Sequence, residues 1–196
     1  MNKPRFYSHV RATLFGGKMT QTQVDGIESI LDSCAEEHID NIRFLAYILA
    51  TVYHETGRTI EPVREGFAKT DEKAIEHVTA MFNKKQIAKN YALRAENGKS
   101  FFGRGYVQLT WDFNYKAMGK LLAIDLYNHP DLALTQDVAA KILIKGMQLG
   151  SFTGKKLKEY INDTETDYVN ARRVVNGKDK ASLIASYALK FEEALK

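Results

Sequence analysis

Acidic side chains carry the most suggestive chemistry in this chain. Glu55 lies in His54-Glu55-Thr56-Gly57, and Glu61 and Glu65 follow across a turn that contains Gly57 and Pro62. A carboxyl pair can divide acid–base work. One member, protonated, serves a leaving oxygen, while the other activates water or stabilises a sugar cation, the two tasks in cutting a glycosidic bond. Glu55 suits the acid. It closes the most hydrophobic run of the chain, Ile42 to Tyr53, where Phe44, Leu45, Tyr47, Ile48, Leu49 and Val52 spread almost all round a helical wheel. Such a run predicts a helix buried on most sides and stopped at Gly57. A carboxyl at the partly negative end of that helix, near apolar neighbours, is expected to have its pKa raised by both. The bland alternative is a frayed helix end with a solvated glutamate. Likewise, Glu61 and Glu65 can be read as surface charge partnered by Arg58 or Arg64.

Other chemistries fail on spacing. A zinc-protease helix needs a second His four residues after His54, and position 58 is Arg. His9, His38, His77 and His129 are scattered, so no metal site is expected, and nothing calls for a cofactor. Gly103-x-Gly105 lacks the third glycine of a dinucleotide fingerprint, and neither a P-loop nor a Gly-x-Ser-x-Gly elbow occurs. The single cysteine, Cys34, forms no internal disulfide and falls within a helical pattern, where it reads as a small core residue.

The elements that must position the acids are mostly helices. Pro4 opens the first, ended by Gly16-Gly17; Thr20 or Thr22 caps a second through Leu31; Asp40 or Asn41 caps the buried third. Lys73 to Asn90 reads as one or two helices, and Leu93 to Ser100 as a loop. From Val107 to Trp111, apolar and polar residues alternate, which predicts a short extended segment with Gln108 and Thr110 on its polar side and Leu109 and Trp111 facing the core. Asp112 or Thr110 then caps a helix through Leu122, Thr135 caps one stopped at Gly150, Thr164 opens one that ends at Asn176-Gly177, and a last helix runs from Ala181 to Leu195. With 196 residues, 44% hydrophobic, 27% charged and only 3 prolines, the chain is expected to form a single domain, 1–196, without a linker. The net charge of +4 points mildly to anionic partners. Short basic clusters (Lys84-Lys85, Lys155-Lys156-Lys158, Arg172-Arg173) lack the aromatic interleaving of a nucleic-acid platform, so no nucleic acid is expected. No stable membrane insertion is expected either, because the apolar run is too short. The first residues lack a continuous apolar stretch, so the chain is read as made in the cytoplasm without a signal peptide.

The succession HETG (54–57), PVREGFA (62–68), FFGRGYVQLTWDFNY (101–115) and ARRVVNG (171–177) resembles the chitinase-like glycoside hydrolase family 19, and most of all its phage and bacterial lysozyme-like endolysins. The resemblance implies a mainly α, two-lobed lysozyme-like fold with a small extended or β patch and a cleft between the lobes. It implies an inverting glycosidase with Glu55 as general acid and Glu65 as the base that activates water, Glu61 and Glu76 being the alternatives for the base. Thr110 would help hold that water, Gln108 and Asn114 would hydrogen-bond sugar or water, His54 and Asn176 would line the substrate cleft, and Arg104 would support the site. The family often carries an Arg four residues before a Tyr of the last helix. Here Leu183 precedes Tyr187, so that charged partner is either missing or supplied by Arg172 or Arg173. The implied substrate is peptidoglycan or a chitin-like polysaccharide, attacked by a monomer acting on the cell wall, which a phage endolysin would reach from host cytoplasm and periplasm. A catalytically inactive glycan-binding domain is the alternative from another class.

Overall fold

In the computed structural model, which describes residues 1–196, the chain folds into two compact units, one formed by residues 1–60 and 143–196 and the other by residues 61–142. The first begins with α1 (Lys3–Thr13), α2 (Gln21–Glu36) and α3 (Ile42–Glu55). Each start is a capping group. Asn2 accepts from the Arg5 N–H with Pro4 in the first turn, Thr20 and Gln23 form a reciprocal capping box, and Asn41 accepts from the N–H groups of Arg43 and Phe44.

α3 is buried from Ala46 to Tyr53 without a break, as its all-round apolar wheel implies. Its main partner is the last helix of the chain, α7 (Ala181–Leu195). The Tyr53 ring meets Phe15, Tyr187 and Phe191 edge-on at 4.8–6.1 Å, and its hydroxyl donates to the Leu14 carbonyl at 2.5 Å. Tyr47 stacks on Tyr168 at 5.9 Å. Each large side chain so buried contributes roughly 1.5–3 kcal/mol, which fixes the end of α3, and therefore Glu55, in place. Cys34 is fully buried in this unit, a small core residue as expected.

The second unit is built on a two-stranded antiparallel ladder, β1 (Val63–Arg64) with β2 (Arg104–Gly105), in the register Val63↔Gly105 and Arg64↔Arg104. Around it lie a 3₁₀ turn at Glu65–Phe67, α4 (Asp71–Asn83), α5 (Asp112–Leu122) and a second 3₁₀ turn at Pro130–Leu134. α6 (Gln136–Leu149) carries the chain back to the first unit. No helix is long and apolar enough to cross a membrane.

Three expectations give way. The alternation from Val107 to Trp111 does not make a strand, because Gln108 (φ 57°) and Trp111 (φ 72°) leave the extended region and the chain bends back so that Arg104 and Leu109 exchange backbone hydrogen bonds. Neither Thr110 nor Asp112 caps α5; Trp111 stands at that position with no side-chain cap. The region after Thr164 forms only a 3₁₀ turn, Asn170–Val174, which has no side-chain cap at Val169 and is preceded by a turn in which the Asp167 carboxylate accepts the Asn170 N–H at 2.9 Å. The stretch from Lys73 to Asn90 holds one helix, α4, which is capped by Thr70 and ends at Asn83, with turns and bends from 84 to 89.

Candidate active site

Glu55 is the last residue of α3. Thr56 caps the helix, its hydroxyl donating to the Val52 carbonyl at 2.7 Å and accepting the Ile60 N–H at 3.0 Å, and Gly57 turns the chain with φ 59°. The carboxylate is partly exposed, and its surroundings are not the apolar ones expected. The Arg172 guanidinium, 2% exposed, donates Nη1–H to Oε1 of Glu55, while its Nε–H is fixed on the Asp179 carbonyl at 3.0 Å. The charged partner of Glu55 is therefore Arg172, while Leu183 is exposed on α7. Arg173, its neighbour on the same 3₁₀ turn, is exposed. His54 is half-buried with its ring 6.5 Å from Tyr187. Burial lowers its pKa below the usual imidazole value, and the positive charge of Arg172 adds to that against the opposing pull of Glu55, so the ring is neutral at pH 7.

In the second unit Glu65 follows β1 directly. Its own N–H donates to the Gly103 carbonyl at 2.8 Å, and the Gly103 N–H returns to Oε2 of Glu65 at 2.7 Å. The Tyr91 hydroxyl donates to Oε1. Burial and the adjacent carboxylate together raise the Tyr91 hydroxyl pKa, so it remains a proton donor. Two donors on two oxygens fix the orientation of this carboxylate. The glycines beside it are required: a Cβ at Gly66 would lie 2.8 Å from the His77 ring, and one at Gly103 would lie 2.5 Å from Oε1 of Gln108. Of the alternatives for the base, Glu76 is paired with Lys73 at 2.7 Å on an exposed face of α4, and Glu61 is exposed just before β1.

The Gly-Arg-Gly loop supports this arrangement. Gln108 donates its amide to the Val63 carbonyl at 3.1 Å and more weakly to Gly105 at 3.4 Å, tying the loop back onto β1. Thr110 and Asn114 are half-buried, and Asn114 donates to the Thr110 carbonyl at 2.9 Å. Arg104 is 1% exposed and lies over the Phe102 ring at 3.7 Å. It donates to Asp131 at 2.8 Å, to Asp71 at 2.9 Å and to the Ser100 carbonyl at 2.9 Å. It is a structural cation, saturated by its own unit, in keeping with a supporting role. Trp111 is half-buried against Tyr91 at 5.1 Å and stacked on the exposed Phe113 at 5.9 Å, so it is neither fully core nor isolated on the surface.

Within each unit, then, the expected residues gather. His54, Glu55 and the ARRVVNG turn meet in one; Glu65, Gln108 and the Gly-Arg-Gly loop meet in the other, with Thr110 and Asn114 joined to each other where the loop runs into α5. Asn176 is exposed at the end of its turn, its side-chain oxygen accepting the Gly177 N–H at 2.8 Å. Sequence reasoning did not find Tyr91, a lone tyrosine 26 residues from Glu65 in a polar stretch, nor Asp71 and Asp131 as the anions that neutralise Arg104. Nothing in their spacing marks them.

The family model described as chitinase class I matches residues 34–145, more than half of the chain. The chain belongs to glycoside hydrolase family 19. Curated relatives match it over short stretches. Endochitinase 1 of Theobroma cacao is 53% identical over 38 residues, which is 19% of this chain and 12% of that protein. Inactive chitinase-like protein 1 of Hevea brasiliensis is 49% identical over 41 residues, 21% of this chain and 13% of that protein. Among solved structures, a bacterial family 19 chitinase aligns with a TM-score of 0.58 at 22% identity, covering 99% of this chain and 94% of its own. Chitinase C from Streptomyces griseus HUT6037 aligns with a TM-score of 0.58 at 20% identity, covering 99% and 76%. At such identities the likeness establishes the fold, that of the mainly helical family 19 enzymes.

Proposed function

We propose that this family 19 chain is an inverting glycoside hydrolase that cuts β-1,4 bonds next to N-acetylated amino sugars, and that its polymer is peptidoglycan. The observation that carries the reaction is the cradle of Glu65. A base that activates water must keep a fixed carboxylate, and Glu65 has one oxygen on the Gly103 N–H and the other on the Tyr91 hydroxyl. Glu55 is the acid. Arg172 engages its Oε1, which leaves Oε2 for the proton delivered to the leaving oxygen. Thr110 assists in holding the water, Gln108 and Asn114 position the loop that carries it, and His54 and Asn176 contact sugar. This reading takes residues 1–196 as one catalytic domain, acting on the cell wall as a monomer.

A second reading, hydrolysis of chitin, is favoured by the relatives named endochitinases, and the relative named inactive keeps a non-catalytic glycan binder in play. Both glycans share the bond to be cut, so the choice is experimental. Clearing of purified peptidoglycan and cleavage of N-acetylglucosamine oligomers are measured for the wild type, Glu55→Gln and Glu65→Gln. The expected result is clearing by the wild type and a loss of about 10²-fold or more in each variant. Equal clearing by Glu55→Gln refutes the acid assignment. Cleavage of chitin oligomers alone selects the chitinase reading, and no cleavage of either substrate selects the binder.

A further inference from the structure

A pocket of about 450 Å³ lies in the first unit, lined by Thr153, Lys155, Arg173, Asn176, Gly177 and Lys178. Its volume is that of a site for one sugar or a short peptide. Three of the six lining residues are cations and none is an acid. Much of the lining surface is apolar, and the charged groups among its residues are all cationic. The Thr153 hydroxyl spends its hydrogen on the Arg173 and Val174 carbonyls, at 2.6 and 3.1 Å, and Asn176 spends its oxygen on the Gly177 N–H. The Thr153 oxygen remains an acceptor, and the donors carried by the lining residues are the Asn176 amide N–H groups, two ammonium groups and a guanidinium. Of these three cations, Lys155 has Glu159 3.8 Å away, and neither Arg173 nor Lys178 has a carboxylate in ion-pair contact. A neutral N-acetylated sugar carries no charge, whereas a carboxylate is an anion with acceptors only, and a lining with three cations and no acid matches the carboxylate.

The 3₁₀ turn Asn170–Val174 connects this pocket to the acid. Arg172 points inward onto Glu55 while the next residue, Arg173, lines the pocket. We propose that the Lys155–Arg173–Lys178 pocket is a subsite for carboxylate groups carried by the glycan, so that the substrate class is an anionic amino-sugar polymer bearing lactyl or peptide carboxylates, and not neutral chitin. The proposal rests on the reading of Glu55 as part of a glycan-cleaving site and deepens it.

Binding decides it, with the full chain carrying Glu55→Gln so that no probe is consumed. Three probes are titrated calorimetrically: a neutral N-acetylglucosamine tetramer, a peptide-free muramic-acid tetrasaccharide with free lactyl carboxylates, and the same tetrasaccharide with its lactyl groups amidated by stem peptides. Adding Arg173→Ala and Lys178→Ala should weaken at least one carboxylate probe about tenfold and the neutral tetramer less than twofold. Which one weakens identifies lactyl or peptide carboxylate as the group recognised. Without those two substitutions, raising salt from about 50 to about 300 mM should weaken the carboxylate probes alone, a readout independent of how the variant folds. Equal weakening of all three probes, or no weakening of any, overturns the proposal. Turnover by the wild type separates the two layers: cleavage of chitin oligomers with no carboxylate preference sinks the subsite and keeps the glycosidase, while carboxylate-selective binding without turnover keeps the subsite and sinks the glycosidase.

Discussion

Removing Arg172 should do more than delete a charge. Its guanidinium is 2% exposed and contacts Glu55 and the Asp179 carbonyl, whereas the Glu55 side chain is 21% exposed. Breaking a buried ion pair from one side costs about 3–5 kcal/mol, because the other charge is left stranded. In Arg172→Met the stranded partner is Glu55, which water can reach, so the electrostatic loss falls at or below the low end of that range. The lost bond to Asp179 adds about 1 kcal/mol, for a total of about 3–4 kcal/mol. Glu55→Gln strands the less exposed member, yet keeps a carbonyl acceptor for Nη1–H, and should cost about 1–3 kcal/mol. In the double variant no charge is stranded, so its loss should fall short of the sum of the single losses by about 1–2 kcal/mol. Urea denaturation of the four proteins measures this coupling. At about 2–4 °C per kcal/mol for a chain of this size, Arg172→Met should also melt roughly 6–16 °C lower. Arg172→Lys keeps the charge but not the planar fork, and a positional role for the arginine requires that kcat fall in this variant while much of the stability returns. Losses that add within about 0.5 kcal/mol would refute the pairing argument.

Two further predictions concern the other unit. Gly103→Ala places a Cβ 2.5 Å from Oε1 of Gln108, and that side chain can give way only by releasing the Val63 carbonyl, so stability should drop by about 1–3 kcal/mol and activity with it; a melting temperature equal to that of the wild type contradicts the contact. For Asp71, burial acts to raise the carboxyl pKa, but the Arg64 and Arg104 guanidiniums outweigh it and hold the group below the usual carboxylate range. Its unfolded value is about 3.9, so the stabilisation is complete above that pH and is lost as pH falls through the lower folded value. Asp71→Asn should flatten this acid limb of the stability–pH curve, measured by urea midpoints between about pH 2 and 6, and limbs of equal steepness would show that Asp71 does not contribute.

How far the sequence reveals this molecule depends on the range of the forces involved. Helix starts are local events, and Asn2, Thr20 and Asn41 announce them because a side-chain oxygen meets N–H groups two or three residues on. The burial of α3 is equally legible, since a helix apolar all round has no wet face to offer. The stretch 107–111 misleads for a physical reason: alternation records which residues face inward, and a loop that doubles back between Arg104 and Leu109 can satisfy that record without forming a ladder. Leu109 is buried as the alternation requires, while Trp111 is only half-buried, in a left-handed backbone conformation that no propensity favours for a tryptophan. The 3₁₀ turn 170–174 is misread as a helix because Asp167 does accept an N–H three residues on, that of Asn170, but closes only a turn, while the Thr164 hydroxyl caps nothing and donates instead to the Asn162 side chain.

The two glutamates were equally plain as residue types, and their environments divide them. Glu65 is held by neutral donors, a backbone N–H and a phenol, which orient a carboxylate without offsetting its charge. Glu55 is held by a cation on one oxygen only. What the first arrangement offers the proposed base is a fixed orientation toward the water it would activate. An acid requires that one oxygen keep room for a proton, and the second arrangement provides this as long as Arg172 stays anchored on Asp179 and does not swing to bridge both oxygens. That anchor comes from the chain just beyond Asn176-Gly177, so the motif read as sugar-lining also sets the geometry of the arginine. On α7 the position four residues before Tyr187 is Leu183, and the cation that Glu55 does have comes from the turn that precedes that helix.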